Sequence, residues 1–209
     1  DLKSISIGDG ASLGVGAFAG CTNLSDVQFL GDIVNMDAAV FSGCNRLTSI
    51  KIPSTIQIIN NRTFSDCTSL ARIDIPDNVT RICGSAFSGC NKLATVNAGK
   101  NIERIDEYAF SGCTELKDFN LYSETIPLTS KTAFADSYQE YISLHVPVGS
   151  VDAYKAAEPW SRFKDIVAIA AKVKLNKSKA IIEKGKREVL TATVTPSTLL
   201  DKSVTWKSS

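Results

Sequence analysis

Apolar side chains keep a fixed order along most of the chain: after Leu47 they fall at Ile50, Ile52, Ile56, Ile59, Phe64 and Cys67, and Leu70 opens the same series again. In the Leu-x-x-Ile-x-Ile segment apolar and polar positions alternate with a period of two, which predicts a strand with Ile50 and Ile52 turned inward and Ser49, Lys51 and Pro53 turned out. The same phase places Val27/Phe29, Ile73/Ile75, Val96/Ala98 and Phe119/Leu121 inside. Pro53 and Pro76 close their strands, because proline has no N–H to give to a ladder and favours the turn that follows. The step from Ile56 to Ile59, repeated at 79/82 and 102/105, predicts a second short inward-facing stretch. An Ala-Phe-Ser-Gly-Cys block, or a close variant, comes next. It is too short for a full helix and reads as one helical or 3₁₀ turn that carries its Phe inward.

This series is periodic. Phe stands at 18, 41, 64, 87 and 110 and Cys at 21, 44, 67, 90 and 113, so a Phe-x-x-Cys pair recurs every 23 residues. A period in the twenties predicts a repeat solenoid, β-rich with short helical turns, in which each coil buries its side chains against its copies above and below. The strands then pair into a parallel sheet, six of them at about 4.8 Å making a ribbon roughly 25 to 30 Å long. Five of the six cysteines obey the repeat and occupy one equivalent site. In-register side chains project side by side rather than toward each other, so these are expected as free, buried thiols, with Cys83 off register and free at the edge.

The run Ala86-Phe87-Ser88-Gly89-Cys90-Asn91-Lys92-Leu93, preceded by Ile73-x-Ile75-Pro76, resembles the BspA-like class of bacterial leucine-rich repeats. The resemblance covers roughly residues 1 to 168 and departs from the pattern at both ends. The first turn, Leu2-Ile5-Ile7 to Phe18, is one residue short; the sixth, Leu116 to Phe134, is one longer and puts Ser137 where Cys is expected. Beyond it, Ile142-x-Leu144-x-Val146-Pro147 reads as a closing strand and 151–157 as a short helix, while Trp160 and Phe163 look like the family's capping aromatics over the last layer. Residues 1–171 are thus expected to form the solenoid, with its cap at about 138–171.

From Lys172 the pattern changes to short alternating stretches, Val173-x-Leu175, 180–182, 190–194 and 204–206, separated by Gly, Pro and Ser. This predicts an all-β sandwich, and the order resembles the opening strands of the bacterial immunoglobulin-like group 2 domain. Only half of such a domain fits in residues 172–209. Its open edge invites dimerisation through this segment as an effect of truncation.

Composition narrows the function classes. Lys plus Arg total 23 and Asp plus Glu 22, so the formal charge of +1 argues against nucleic acid or an anionic membrane as partner. No apolar run approaches the ~20 residues that span a bilayer, and no basic-then-apolar leader precedes Asp1. The chain therefore reads as a mature piece whose leader or anchor lies outside it. Catalytic chemistry finds no footing either. The only histidine, His145, points outward by alternation with no nucleophile motif beside it. Ligands spaced 23 apart in a stack form a line rather than a tetrahedron, the glycines at 8, 10, 14 and 16 miss the dinucleotide pattern, and the sequons at Asn23, Asn61, Asn78 and Asn176 read as chance. No enzyme activity and no cofactor are expected.

What remains is surface. Outward residues of successive strands form columns: Asp26, Gln28 and Leu30; Ser49, Lys51 and Pro53; Arg72, Asp74 and Pro76; Thr95, Asn97 and Gly99; Asp118, Asn120 and Tyr122; Ser143 and His145. From these, Gln28, Leu30, Lys51, Arg72, Asp74, Asn97, Asn120, Tyr122 and His145 are the candidate ligand-binding face. Arg72, Tyr122 and Leu30 lead, because aromatic and Arg side chains carry most interface energy. The resemblance implies a non-catalytic bacterial cell-surface or secreted protein, adhesin-like, that recognises a host matrix or cell-surface protein or another microbe. A carbohydrate-binding surface protein and a structural stalk presenting another domain are the alternatives.

Overall fold

The computed structural model describes residues 2–169 and the strands Lys172–Leu175 and Ala192–Thr195. Two compact units result, Asp1–Ala168 and Ile169–Ser209. The first is a parallel-sheet solenoid with a period of about 23 residues. We number its coils by their front segments, starting at residues 4, 26, 50, 72, 95, 118 and 143.

Two ribbons of parallel strands flank the core. On the front, Ser4–Ile7 pairs with Asp26–Phe29, and a second group runs Arg72–Ile75, Thr95–Ala98, Asp118–Leu121, Ser143–Val146 and Asp165–Ala168. Register follows the repeat: Ile73, Val96, Phe119, Leu144 and Ile166 lie one beneath another, all buried. On the back, Ala11–Leu13 pairs with Ile33–Met36, and Ile58–Ile59, Arg81–Ile82, Arg104–Ile105 and Leu128–Thr129 form a four-stranded sheet. The second apolar step of each coil is therefore a strand in its own right. The closing strand expected over 142–147 forms as Ser143–Val146 but is not the last one, since Asp165–Ala168 pairs outside it.

Between back and front runs a third column. Here the Phe-bearing block is not a helix: left-handed residues at both of its ends, such as Ala39 (φ 57°) and Gly43 (φ 73°), stop helical propagation. Short i to i−3 bonds inside the block, such as Cys44 N–H to Phe41 O at 3.1 Å, alternate with bonds to the next coil. Ala39, Phe41 and Gly43 donate to the carbonyls of Asn61, Thr63 and Ser65, and Ser85, Phe87 and Gly89 to those of Glu107, Ala109 and Ser111.

Inside the column the Phe rings stack. Centroids of Phe18, Phe41, Phe64, Phe87 and Phe110 are 5.2–5.7 Å apart in sequence, with planes within 4–16°. The cysteines form a second stack, all of them free thiols. Each thiol donates to the Phe carbonyl one coil back: Cys44 to Phe18, Cys67 to Phe41, Cys90 to Phe64 and Cys113 to Phe87, at 3.1–3.3 Å. Ser137 takes the same place in the sixth coil, its hydroxyl donating to the Phe110 carbonyl and accepting from Cys113 N–H at 2.9 Å. The departure from Cys therefore keeps the donor. Cys83 is free, as expected, but buried rather than open at an edge.

The C-terminal end of the stack is closed. Val151–Ala156 is helical, and Trp160 packs at 5.5–6.0 Å from the rings of Phe119, Phe134, Tyr154 and Phe163. Tyr154 Oη donates to the carbonyls of Ser123 and Thr125, and Ser150 Oγ to that of Glu124 at 2.7 Å, which pins the cap to the loop between the sixth coil's front and back strands. At the other end Ile5, Phe18 and Cys21 are only half-buried.

One interruption cuts the stack. Residues 49–52 were expected to be a strand like the others, yet coil 3 makes only an isolated bridge, Lys51 to Asp74. Among the described residues no backbone hydrogen bond joins its front segment to coil 2. The back sheet stops at the same level, between Ile33–Met36 and Ile58–Ile59. Pro53 was expected to face out and is buried; Gly99, also expected outward, is buried against the Pro76 carbonyl and Asp77.

In the second unit Lys172–Leu175 pairs antiparallel with Ala192–Thr195, Val173 opposite Val194. The other expected strands of an immunoglobulin-like half-domain, and dimerisation through it, lie outside the described residues.

Candidate ligand-binding face

The alternation of each front strand sends every second side chain out of the sheet, and the parallel register sets equivalent side chains next to one another. In coils 4 to 6 this brings four of the candidates together. Arg72 reaches Asp74 in its own strand with Nε and Nη2, at 3.1 and 2.9 Å from Oδ1. Asn97 Nδ2 donates to the same Asp74 oxygen, and Asn120 Nδ2 donates to Asn97 Oδ1 at 2.8 Å. A hydrogen-bonded strip thus runs across three coils. Burial raises the Asp74 carboxyl, but the bonds from Arg72 and Asn97 outweigh it and hold the group below the ordinary carboxylate range.

Tyr122 is half-buried, and that burial pushes its phenol above the ordinary value; the charge of Asp74 adds to the rise and Arg72 opposes it. His145 faces outward, but its Nε2 lies 3.2 Å from Asp118 Oδ1 and the neighbouring strand pairs it with Val167, so it is not a lone surface histidine. The remaining candidates are separate from the strip. Gln28 bonds Asp26 of its own strand (3.1 Å), Leu30 is 68% exposed, and Lys51 sits on the interrupted coil.

Alternation along the front strands gave no signal of a polar cluster on the back. Arg81 and Arg104, in register on adjacent strands, both bond the buried carboxylate of Asp106: Arg81 Nε to Oδ2 at 2.9 Å, and Arg104 Nε to Oδ1. Burial raises Asp106, and the two guanidinium bonds overcome that and lower it below its ordinary range. Its sequence signal was the Arg-Ile pair at 81–82 and again at 104–105. Inside the thiol stack desolvation pushes Cys44 and Cys113 up to about 12. Among the described residues no group of three or more His, Cys, Asp or Glu is placed to hold a metal ion, and no helix is long and apolar enough to cross a membrane.

Comparisons with known proteins address the family. The BspA type leucine rich repeat region matches in six copies, over residues 1–117 and 34–155. Among solved structures, the T. pallidum leucine rich repeat protein TpLRR is 28% identical at a TM-score of 0.57, covering 60% of this chain and 59% of that one. The pneumococcal vaccine antigen PcpA is 18% identical at a TM-score of 0.64, covering 81% of this chain and 42% of that one, and shows the fold alone. The chain thus spans less than two thirds of either. No curated protein matches. With coils in this register and repeats matched over more than half its length, the chain belongs to the BspA type leucine-rich repeat family.

Proposed function

We propose that this chain is the non-catalytic binding module of a bacterial cell-surface or secreted protein, adhesin-like, and that it recognises host or microbial protein ligands through the front sheet. The observation that carries the reading is the strip from Arg72 through Asp74 and Asn97 to Asn120. Its side chains are already held in place on a paired sheet, so a ligand meets a polar surface that needs little further ordering. The Arg72 side chain stays 61% exposed while its geometry is set by Asp74, and Tyr122 adds an amphipathic ring within electrostatic reach of both. Arg and Tyr in such a setting supply a large share of interface energy.

The test is binding of the chain to immobilised extracellular-matrix and cell-surface proteins. A ligand is expected whose affinity falls at least about tenfold on Arg72→Glu or Tyr122→Ala, the range of a hot spot. A bound protein indifferent to both changes would remove the front strip from the interface, and glycan-array binding in place of protein binding would overturn the ligand class.

A further inference from the structure

The break between coils 2 and 3 has intact joins on either side of it. Coils 1 and 2 share the ladder of Ser4–Ile7 with Asp26–Phe29, Leu30 N–H donates to the Ile7 carbonyl (2.9 Å), and Asp37 N–H to that of Leu13 (2.9 Å). Coils 3 and 4 are joined on the front by Ala71 N–H to the Thr48 carbonyl (3.2 Å), and on the back by Thr80 N–H to that of Gln57 and Cys83 N–H to that of Ile59 (2.8 and 2.9 Å). Between coils 2 and 3 neither ribbon supplies a backbone bond among the described residues. The backbone bonds that do cross lie in the turn column, given by Ala39, Phe41 and Gly43. On the back two side chains stand in: Asn60 Nδ2 reaches the Met36 carbonyl at 2.9 Å and Thr55 Oγ1 that of Ile33 at 3.0 Å. The rings of Phe41 and Phe64 are also the most widely spaced of the stack, 5.7 Å against 5.2–5.5 Å elsewhere.

In a stack of repeats, stability is close to a sum of each coil's own contribution and its contacts with the coils on either side. Burial couples coils 2 and 3 as it couples the others, but two of the three backbone columns do not, so this contact holds fewer bonds than its neighbours. The amino-terminal side of the break is also the poorer in burial. Leu2 is 39% exposed and Phe18 and Cys21 are half-buried, whereas Leu47, Phe64 and Cys67 are fully buried. Two coils on their own fall short of the three or so that a repeat core needs. Released from coil 3, they do not stay folded.

We propose that coils 1 and 2, residues 2–48, open as one cooperative unit while coil 3 and the capped remainder stay folded, so that the solenoid carries a detachable amino-terminal segment. Local opening of this kind takes the parts held by the fewest bonds and leaves the rest native. The edge of the unit falls inside the candidate face. Gln28 and Leu30 leave with it, and the strip from Arg72 to Asn120 remains on the part that stays. A partner gripping Leu30 as well as Arg72 binds only the closed form and holds the segment shut; one using the strip alone leaves the opening unchanged. The device is a property of the backbone and stands whether or not the strip binds a ligand.

The test is native-state hydrogen exchange of the whole chain at rising urea, read by mass spectrometry. Residues 4–7, 26–30 and 33–37 are expected to exchange together, with one opening free energy and one urea slope. Residues 72–75, 95–98 and 118–121 should be at least about tenfold better protected, about 1.4 kcal/mol, with a steeper slope because more surface is exposed when they open. Asn60→Ala removes a bond across the break. It should lower the protection of residues 4–37 several-fold and leave that of 95–98 and 118–121 as it is. A single free energy and slope for the whole solenoid overturns the proposal. So does protection that climbs steadily from coil 1 to coil 4 with no step at residues 49–52, which is the fraying of an open end, and so does an Asn60→Ala loss that is absent or spreads equally into coils 4 to 6.

Discussion

Coils 4 to 6 and coils 1 to 3 are built from one repeat but differ in how they are joined. In the later coils both ribbons are paired and a polar strip crosses the front. In the earlier ones the Phe stack and the turn column continue unbroken from Phe18 to Phe64, while both ribbons stop between coils 2 and 3. Stacking of the core and pairing of the strands are therefore separable. The apolar repeat drives the first through burial, and that burial persists where the second is absent.

Three comparisons would break or sharpen this contrast. The largest effect is expected in the core of the later coils: Phe87→Ala, fully buried between two rings, should cost about 3–5 kcal/mol by chemical denaturation. Phe18→Ala, half-buried at the open end, should cost less than half of that. Equal losses would mean that burial does not grade along the stack. Next comes a close approach of two coils. A methyl at Gly99 would lie 2.6–2.7 Å from the Pro76 carbonyl and Asp77 Cα, so Gly99→Ala should cost about 1–3 kcal/mol, the range for overpacking. Gly14→Ala, with nothing within 4 Å, is its control and should cost far less.

The smallest effect is electrostatic and concerns the back of the later coils. The folded Asp106 carboxyl lies below its unfolded value of about 3.9, so its contribution is complete above that pH and is lost as pH falls through the lower folded value. Thermal melts from neutral pH into acid should show less loss of stability in Asp106→Asn than in the parent across that window. Asp74, lowered too but 65% exposed, should matter less because solvent screens it. A parent and an Asp106→Asn variant with the same acid slope would rule out this buried carboxylate as a source of pH dependence.

Much of this fold was legible because burial is periodic and apolar residues report burial. The Phe and Cys positions, the inward residues of the front strands and the cap aromatics all follow from it. Hydrogen bonding is less visible. Pro53 reads as an outward strand end, whereas the structure buries it, and the alternation of its own coil does not show that the front ladder is missing on its amino-terminal side. Ser137 reads as a lapse of the repeat, while the geometry shows a hydroxyl doing what four thiols do. On the candidate face, alternation correctly turned Arg72, Asp74, Asn97 and Asn120 to one side. It carried no information on side-chain reach, which is what links them to each other and leaves Gln28 and Leu30 apart.

Along the turn column every inter-coil bond points the same way, each N–H given toward the C-terminal neighbour. The two extremities of that column are consequently unlike: the first coil offers only oxygens there. Two copies brought together at their amino-terminal faces would set acceptor against acceptor, so any lengthening of this column by another coil must run in one sense, carboxyl side of the newcomer against amino side of the old.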